Sequence, residues 1–213
     1  MEIVHWICWR ELEGSIETGL KLLTETRRAR LGRYLKLEDR LRCLAAGLML
    51  RRLLNVRQDQ DLAYGPYGKP ALANGASAFS LSHGGDYVAI SVGVAGRGLD
   101  VEPRPEAVEP ALARACLTSA EYAFFQQSPD PSGYFGRLWV GKESLMKATG
   151  LGLNLPPASL TCPTEDEPGL VLQGIRWSVA WAELPGHFLA LARAGDRPRI
   201  VLKPLSRQEL LEE

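Results

Sequence analysis

The chain has 213 residues, with 25 basic and 25 acidic side chains and a formal net charge of zero. That length suits one large domain or two small ones, and the ordinary apolar and charged content points to a globular protein rather than a disordered or fibrous one. No run of about eighteen apolar residues occurs, so no transmembrane helix is expected. The opening MEIVHWICWRELEG is interrupted by charge too soon to read as a signal peptide.

The four cysteines, Cys8, Cys43, Cys116 and Cys162, lie far apart with no C-x-x-C pair. This argues against a zinc site and a dense disulfide framework, and reduced thiols in a cytosolic protein are expected. The neutral balance conceals an asymmetry. Between Lys21 and Arg57 stand eleven basic residues and three acids, so this block carries +8 and the remainder −8. Such a patch attracts phosphates. A helix with a solvated polar face explains it equally well.

In chain order, a strand is expected over Glu2–Trp9, apolar at both alternating sets and so buried on both faces, or on one face plus a contact between halves. His5 reads as a structural histidine. After Gly14-Ser15, three-and-four spacing predicts a short basic helix near 25–34 and a stronger one over 37–54. Tyr64-Gly65-Pro66-Tyr67-Gly68-Lys69-Pro70 marks a tight turn that restrains Lys69. Strands follow over 78–82, 87–94 and 98–101. Pro103–Pro110 reads as a linker. Thr118-Ser119-Ala120-Glu121 has the spacing of a capping box, predicting a helix from about Ser119. A further helix is expected over 134–149, stopping at Gly150. Short strands near 169–172, 177–182 and 188–193 precede a charged, frayed helix over 206–213. This order is α+β rather than doubly wound, with a division into 1–104 and 105–213.

Two clusters carry the chemistry. Phe79–Glu102 contains Ser82-His83 and ends on Asp100 and Glu102. In an extended segment these two carboxylates share a face while Val101 points inward. Two oxygen donors on one rigid edge suit a hard divalent cation, although a solvated strand end with two surface acids has the same pattern. The second cluster is Trp139, Glu143 and Lys147, spaced four apart on one helix face. It is either a surface Glu–Lys pair above a buried tryptophan, or a further oxygen donor or general base beside a phosphate contact. Lys142 points about 100° away and serves a different neighbour.

Ser82-His83, Gly98-Leu99-Asp100-Val101-Glu102 and Trp139-x-x-Lys142-Glu143-x-x-x-Lys147 resemble, in order and separation, the signature blocks of the long, surfactin-synthetase-type (Sfp-type) 4'-phosphopantetheinyl transferases. Tyr67-Gly68-Lys69-Pro70 is similar to their upstream block. The resemblance spans about Arg27 to Gly152. It implies two similar α+β halves in a pseudo-twofold arrangement. It also implies transfer of 4'-phosphopantetheine from coenzyme A to a serine of an apo acyl or peptidyl carrier protein, releasing 3',5'-ADP.

On the same footing, Asp100, Glu102 and Glu143 are the implied ligands of magnesium, with manganese as an alternative. Lys69, Ser82, His83 and Lys147 are the implied coenzyme A contacts, with Arg27 and Arg30 near the 3'-phosphate and Cys43 beside the adenine nucleotide. Glu143, Asp100, Glu102 and Lys147 would form the catalytic group, with Glu143 as base, metal ligand or both. The expected enzyme is a cytoplasmic monomer with no nucleic-acid or membrane partner. Which carrier it serves stays open. Exposed apolar residues over 112–125 are candidates for docking it, or simply a core helix. The family block often reads Ser-His-Ser, whereas here it is Ser82-His83-Gly84, a departure that removes a hydroxyl. The alternatives are another magnesium-dependent phosphotransferase or pyrophosphatase, and a basic module that binds nucleic acid or a partner.

Overall fold

A computed structural model describes residues 1–94, 96–163 and 169–212. The chain begins with β1 (Glu2–Cys8), a 3-10 turn at Trp9–Leu12, and three helices, α1 (Ile16–Leu20), α2 (Glu25–Gly32) and α3 (Leu37–Leu54). A small hairpin, β2 (Leu62–Tyr64) and β3 (Pro70–Leu72), leads to β4 (Ala78–Gly84), β5 (Tyr87–Gly93) and β6 (Arg97–Pro103). Then come α4 (Pro110–Cys116), α5 (Ser119–Gln127) and α6 (Pro131–Thr149). The end of the chain supplies β7 (Leu170–Leu172), β8 (Ile175–Leu184), β9 (His187–Ala194), β10 (Ile200–Pro204) and α7 (Arg207–Leu211). The fold is α+β.

Local chemistry sets the helix ends. The Thr24 hydroxyl accepts from the Arg27 amide at the start of α2. Thr118 and Glu121 form the expected capping box of α5, which satisfies two of the free amides at a helix start. Asp130 accepts from the Gly133 amide and Pro131 opens α6, while Gly150 closes it in the left-handed region at φ 76°. Asn55 at φ 55° ends α3 in the same way.

Two four-stranded sheets form the centre. The first runs β10-β1-β5-β4, with β1 and β10 parallel and the other pairs antiparallel. The second, β6-β9-β8-β7, is antiparallel throughout. Each sheet carries one long helix. Leu41, Leu44, Leu48 and Met49 of α3 pack with Ile7, Val88 and Ile90 of the first sheet. Val140, Leu145 and Met146 of α6 pack with Val179, Phe188 and Ala190 of the second. The sheets then meet each other through Val4, Ala89, Leu99, Val101, Leu189 and Leu191. β1 is therefore covered on both faces, with Ile7 toward α3 and Val4 toward the second sheet.

Neither sheet is built from one continuous stretch. β6 precedes Arg104 yet lies in the second sheet, while β10 returns from the end of the chain to pair with β1. Sequence patterning left β10, α1, α4 and the β2–β3 hairpin unassigned. These elements are three to seven residues long, too short for a periodic signal to stand out. The strand expected to reach Trp9 ends at Cys8. Of the helix expected over 206–213, Glu213 lies outside the described residues.

Candidate active site

β6 alternates strictly. Leu99 and Val101 enter the core between the sheets, which leaves Gly98, Asp100 and Glu102 on the opposite face, toward α6. Gly98 has to be glycine: a Cβ there would stand 2.0 Å from the Ser144 carbonyl oxygen and 2.3 Å from the Ala148 amide nitrogen of α6. The strand thus lies backbone to backbone against the helix that carries Glu143 and Lys147. The start of β6 is anchored by Arg97, which is 1 % exposed. Its guanidinium donates to Glu2 Oε2 at 3.1 Å, to Ser91 Oγ at 2.8 Å and to the Val94 carbonyl at 2.8 Å.

Asp100 is buried, and its Oδ1 accepts from Lys147 Nζ at 2.6 Å and from Ser82 Oγ at 2.8 Å. Lys147 Nζ also donates to Ser82 Oγ at 2.9 Å. Asp100 Oδ2 is buried with no hydrogen-bond partner among the described residues. Burial, and then the Asp100 charge, push the Glu102 carboxyl up to about 7, with Glu143 adding to the rise. Burial and then Asp100 also raise Glu143, with Lys147 opposing. Glu143 from α6 and the two acids of β6, some forty residues apart in sequence, therefore act on one another electrostatically.

A cavity of about 250 Å3 adjoins these acids, lined by Arg27, Arg30, Cys43, Ser82, His83 and Lys147 among others. Arg27 and Arg30 project from α2, and Cys43 and Arg42 belong to α3. His83 lines the cavity and is exposed to water, yet burial first, and then Lys147, Arg42 and Arg30, lower its pKa. Burial raises the Cys43 thiol, with Arg27 and Arg30 opposing. Next to this cavity runs an apolar slot formed by Tyr67, Pro70, Phe79, Leu81, Met146 and Gly150, about 210 Å3 in volume.

Sequence reasoning missed Arg42. Its Nε donates to the Gly85 carbonyl at 2.8 Å and its Nη1 to Asp39 at 2.7 Å, and its charge acts on both His83 and Glu102. It was one arginine among many in the basic block, and nothing in the sequence marked it out. Lys69 does not reach toward the acids. Its ammonium donates to the carbonyls of Arg97 at 3.0 Å and Ala148 at 2.9 Å. Lys142, expected to serve another neighbour, is fully buried against Glu121 at 2.6 Å and donates to the carbonyls of Cys116 and Pro157 at 2.9 Å each. Trp139 stacks on Phe135 and packs against the cluster formed with Ala113, Cys116, Leu117 and Phe125 of the α4–α5 segment.

Gly84 explains the departure noted in the sequence. A Cβ there would stand 2.3 Å from the Val101 carbonyl oxygen and 2.9 Å from Glu102 Oε2. β4 passes so close to β6 that the residue after His83 has no room for a side chain.

No group of three His, Cys, Asp or Glu side chains among the described residues is arranged, as it stands, to hold a metal ion. The cation on Asp100 is the Lys147 ammonium. The residues nonetheless fit a hard divalent ion. Asp100 offers an unpartnered buried oxygen, and Glu102 and Glu143 are held close to a like charge, which a bound cation would relieve.

Residues 96–192 match the family model of the 4'-phosphopantetheinyl transferase superfamily. The chain is 29 % identical over 150 residues to the 4'-phosphopantetheinyl transferase Sfp of Bacillus subtilis, covering 66 % of each chain. It is 28 % identical to another Bacillus subtilis 4'-phosphopantetheinyl transferase over 72 % of each chain. A relative from Synechocystis sp. is 31 % identical over 62 % of this chain and 59 % of its own. The likeness to 4'-phosphopantetheinyl transferases thus covers residues 96–192 in the family model and most of the chain in these relatives. The matches span between 59 % and 72 % of the lengths of these three relatives.

Proposed function

We propose that the chain transfers the 4'-phosphopantetheine arm of coenzyme A to a serine hydroxyl of an apo acyl or peptidyl carrier protein and releases 3',5'-ADP. The observation that carries this is the meeting of Glu143 and Lys147 of α6 with Asp100 and Glu102 of β6, beside a cavity walled by Arg27, Arg30 and His83. Coenzyme A is a polyanion with a diphosphate, and a basic pocket leading to clustered carboxylates supplies both things such a substrate needs: cations for its phosphates and oxygen ligands for its counter-ion.

In this proposal Asp100, Glu102 and Glu143 hold magnesium or manganese. Bound there, the ion would offset charge on the diphosphate as the phosphorus–oxygen bond breaks. Arg27 and Arg30 take the 3'-phosphate, arginine being suited to paired hydrogen bonds with phosphate. Cys43 lies beside the adenine nucleotide. Ser82, His83 and Lys147 face the diphosphate. His83 has a lowered pKa, so it would serve as a neutral hydrogen-bond donor rather than a second cation. Lys69 enters through the wall its turn makes, its ammonium being engaged with two carbonyls.

The carrier serine attacks the phosphorus bonded to pantetheine. Its oxygen forms the new bond, the bond to the 3',5'-ADP oxygen breaks, and the serine proton leaves. Glu143 takes up that proton, directly or through water. Fixed charges aimed at the reacting phosphate account for most of the expected acceleration. We place the enzyme in the cytoplasm as a monomer with two halves divided near 104/105, acting on no nucleic acid or membrane. Among the described residues no helix is long and apolar enough to cross one.

The test is to mix the protein, coenzyme A and an apo carrier with magnesium and weigh the carrier. Addition of one phosphopantetheine, lost with a chelator and in Glu143→Ala, is expected. A carrier unchanged in mass across fatty-acid, polyketide and peptide-synthetase types would overturn the assignment.

A further inference from the structure

The contact between α6 and β6 decides whether the acids meet, and it is closed at its far end by a residue outside both elements. Lys69 sits in the turn between β2 and β3. That turn is rigid: the Gly68 amide donates to the Gly65 carbonyl and the Gly65 amide to the Lys69 carbonyl, each at 2.9 Å, with Gly68 at φ 79°. From it the Lys69 side chain runs inward and spends two of its three donors on the Arg97 and Ala148 carbonyls. No ion pair to Lys69 is found among the described residues, so carbonyl oxygens rather than a carboxylate hold the charge.

Those two carbonyls are informative. Ala148 stands in the last turn of α6, where carbonyls lack helical partners and the helix end favours a cation. Arg97 opens β6, one residue before Gly98, whose missing side chain lets strand and helix backbones touch. The ammonium therefore bridges the two elements at their closest approach. Asp100 lies three residues along the strand from the bridged Arg97 carbonyl, about 10 Å away. Glu143 lies five residues back along the helix, about 7.5 Å away. A slip at the bridge is carried by two stiff elements straight to the acid cluster.

We propose that Lys69 is a positioning residue that fixes the register of α6 on β6, and through it the approach of Glu143 and Lys147 to Asp100 and Glu102. This deepens the transferase assignment and rests on it for the catalytic readout alone. It differs from a phosphate-binding role, which would leave the helix–strand contact indifferent to the side chain.

Two measurements test it. The first is amide hydrogen exchange in peptides covering residues 97–102 and 143–150 of wild type, Lys69→Met and Lys69→Arg. Methionine keeps the apolar stem and removes the donors, while arginine keeps a cationic donor. Two hydrogen bonds from a charged group are expected to be worth at least about a tenfold loss of protection in both segments of Lys69→Met, with most of it regained in Lys69→Arg. Unchanged exchange, or equal loss in both variants, overturns the proposal. The second is carrier modification at varied coenzyme A. A fall of about tenfold or more in kcat with little change in KM supports positioning. A raised KM with unchanged kcat overturns it in favour of phosphate binding. If wild type modifies no carrier, the transferase assignment fails, while the exchange comparison still decides the role of Lys69.

Discussion

Lys147 Nζ lies 2.6 Å from Asp100 Oδ1, joining the last turns of α6 to the middle of β6 across 47 positions of sequence. The pair is asymmetric: the Asp100 side chain is 2 % exposed and that of Lys147 33 %. The lysine keeps contact with water while the aspartate depends on its partners. Lys147→Met would leave the buried Asp100 carboxylate with Ser82 alone. Because Lys147 is partly solvated, the expected loss is modest, about 1.5–3 kcal/mol, read as a shifted urea midpoint. Turnover should fall far more than stability. A variant that folds less well but transfers at the wild-type rate would separate Lys147 from the chemistry.

Gly84 predicts the outcome of restoring the more usual serine. With Val101 O and Glu102 Oε2 at 2.3 and 2.9 Å from its would-be Cβ, Gly84→Ser must push β4 from β6. Crowding of this kind costs about 1–3 kcal/mol. A lowered melting temperature with impaired turnover is expected. A serine accepted at no cost would show that the strands can separate freely at this point.

The Lys142–Glu121 pair is deeply buried, and Glu121 also accepts from the Thr118 and Cys162 amides. Lys142→Met strands a carboxylate in the interior, at an expected cost of about 3–5 kcal/mol. Adding Glu121→Leu removes the stranded charge and should return part of that stability, measured by chemical denaturation. A double variant no better than the single one would show that the amide contacts of Glu121 dominate.

His5 should make stability depend on pH. Burial, and then Lys203, lower its pKa below 6.5, with Glu209 opposing. Its Nδ1 is buried with no hydrogen-bond partner among the described residues. The folded state therefore favours the neutral ring. Its contribution is fully present above pH 6.5 and is lost as pH falls below that value toward the lower folded-state pKa. His5→Gln should flatten the melting-temperature profile between about pH 7 and 5 relative to wild type. Parallel profiles would mean that other groups govern the acid limb.

The helices that fix the site were legible in the sequence. α3 runs over the expected 37–54, and α5 begins at the expected capping box. α6 begins three residues before the expected 134, because Asp130-Pro131 makes a stronger start than the apolar spacing alone reveals. β6 has the alternation that sends Asp100 and Glu102 to one face. The direction of Lys142 away from Glu143 followed from helix geometry. The partners did not. Nothing in the order of residues says that Lys69 spends its donors on Arg97 and Ala148, or that Arg42 faces His83 and Glu102.

The sequence alone determined the longer helices and strands and which of their side chains would share a face, because helix and strand periods are local properties of the chain. Only the tertiary structure decided that β6 joins the second sheet while β10 joins the first, and that strand and helix touch at Gly98. The reason is physical: the raised carboxyls of Glu102 and Glu143 arise from burial and from charges brought close by packing. Such energies depend on distance through space, which separation along the chain does not encode.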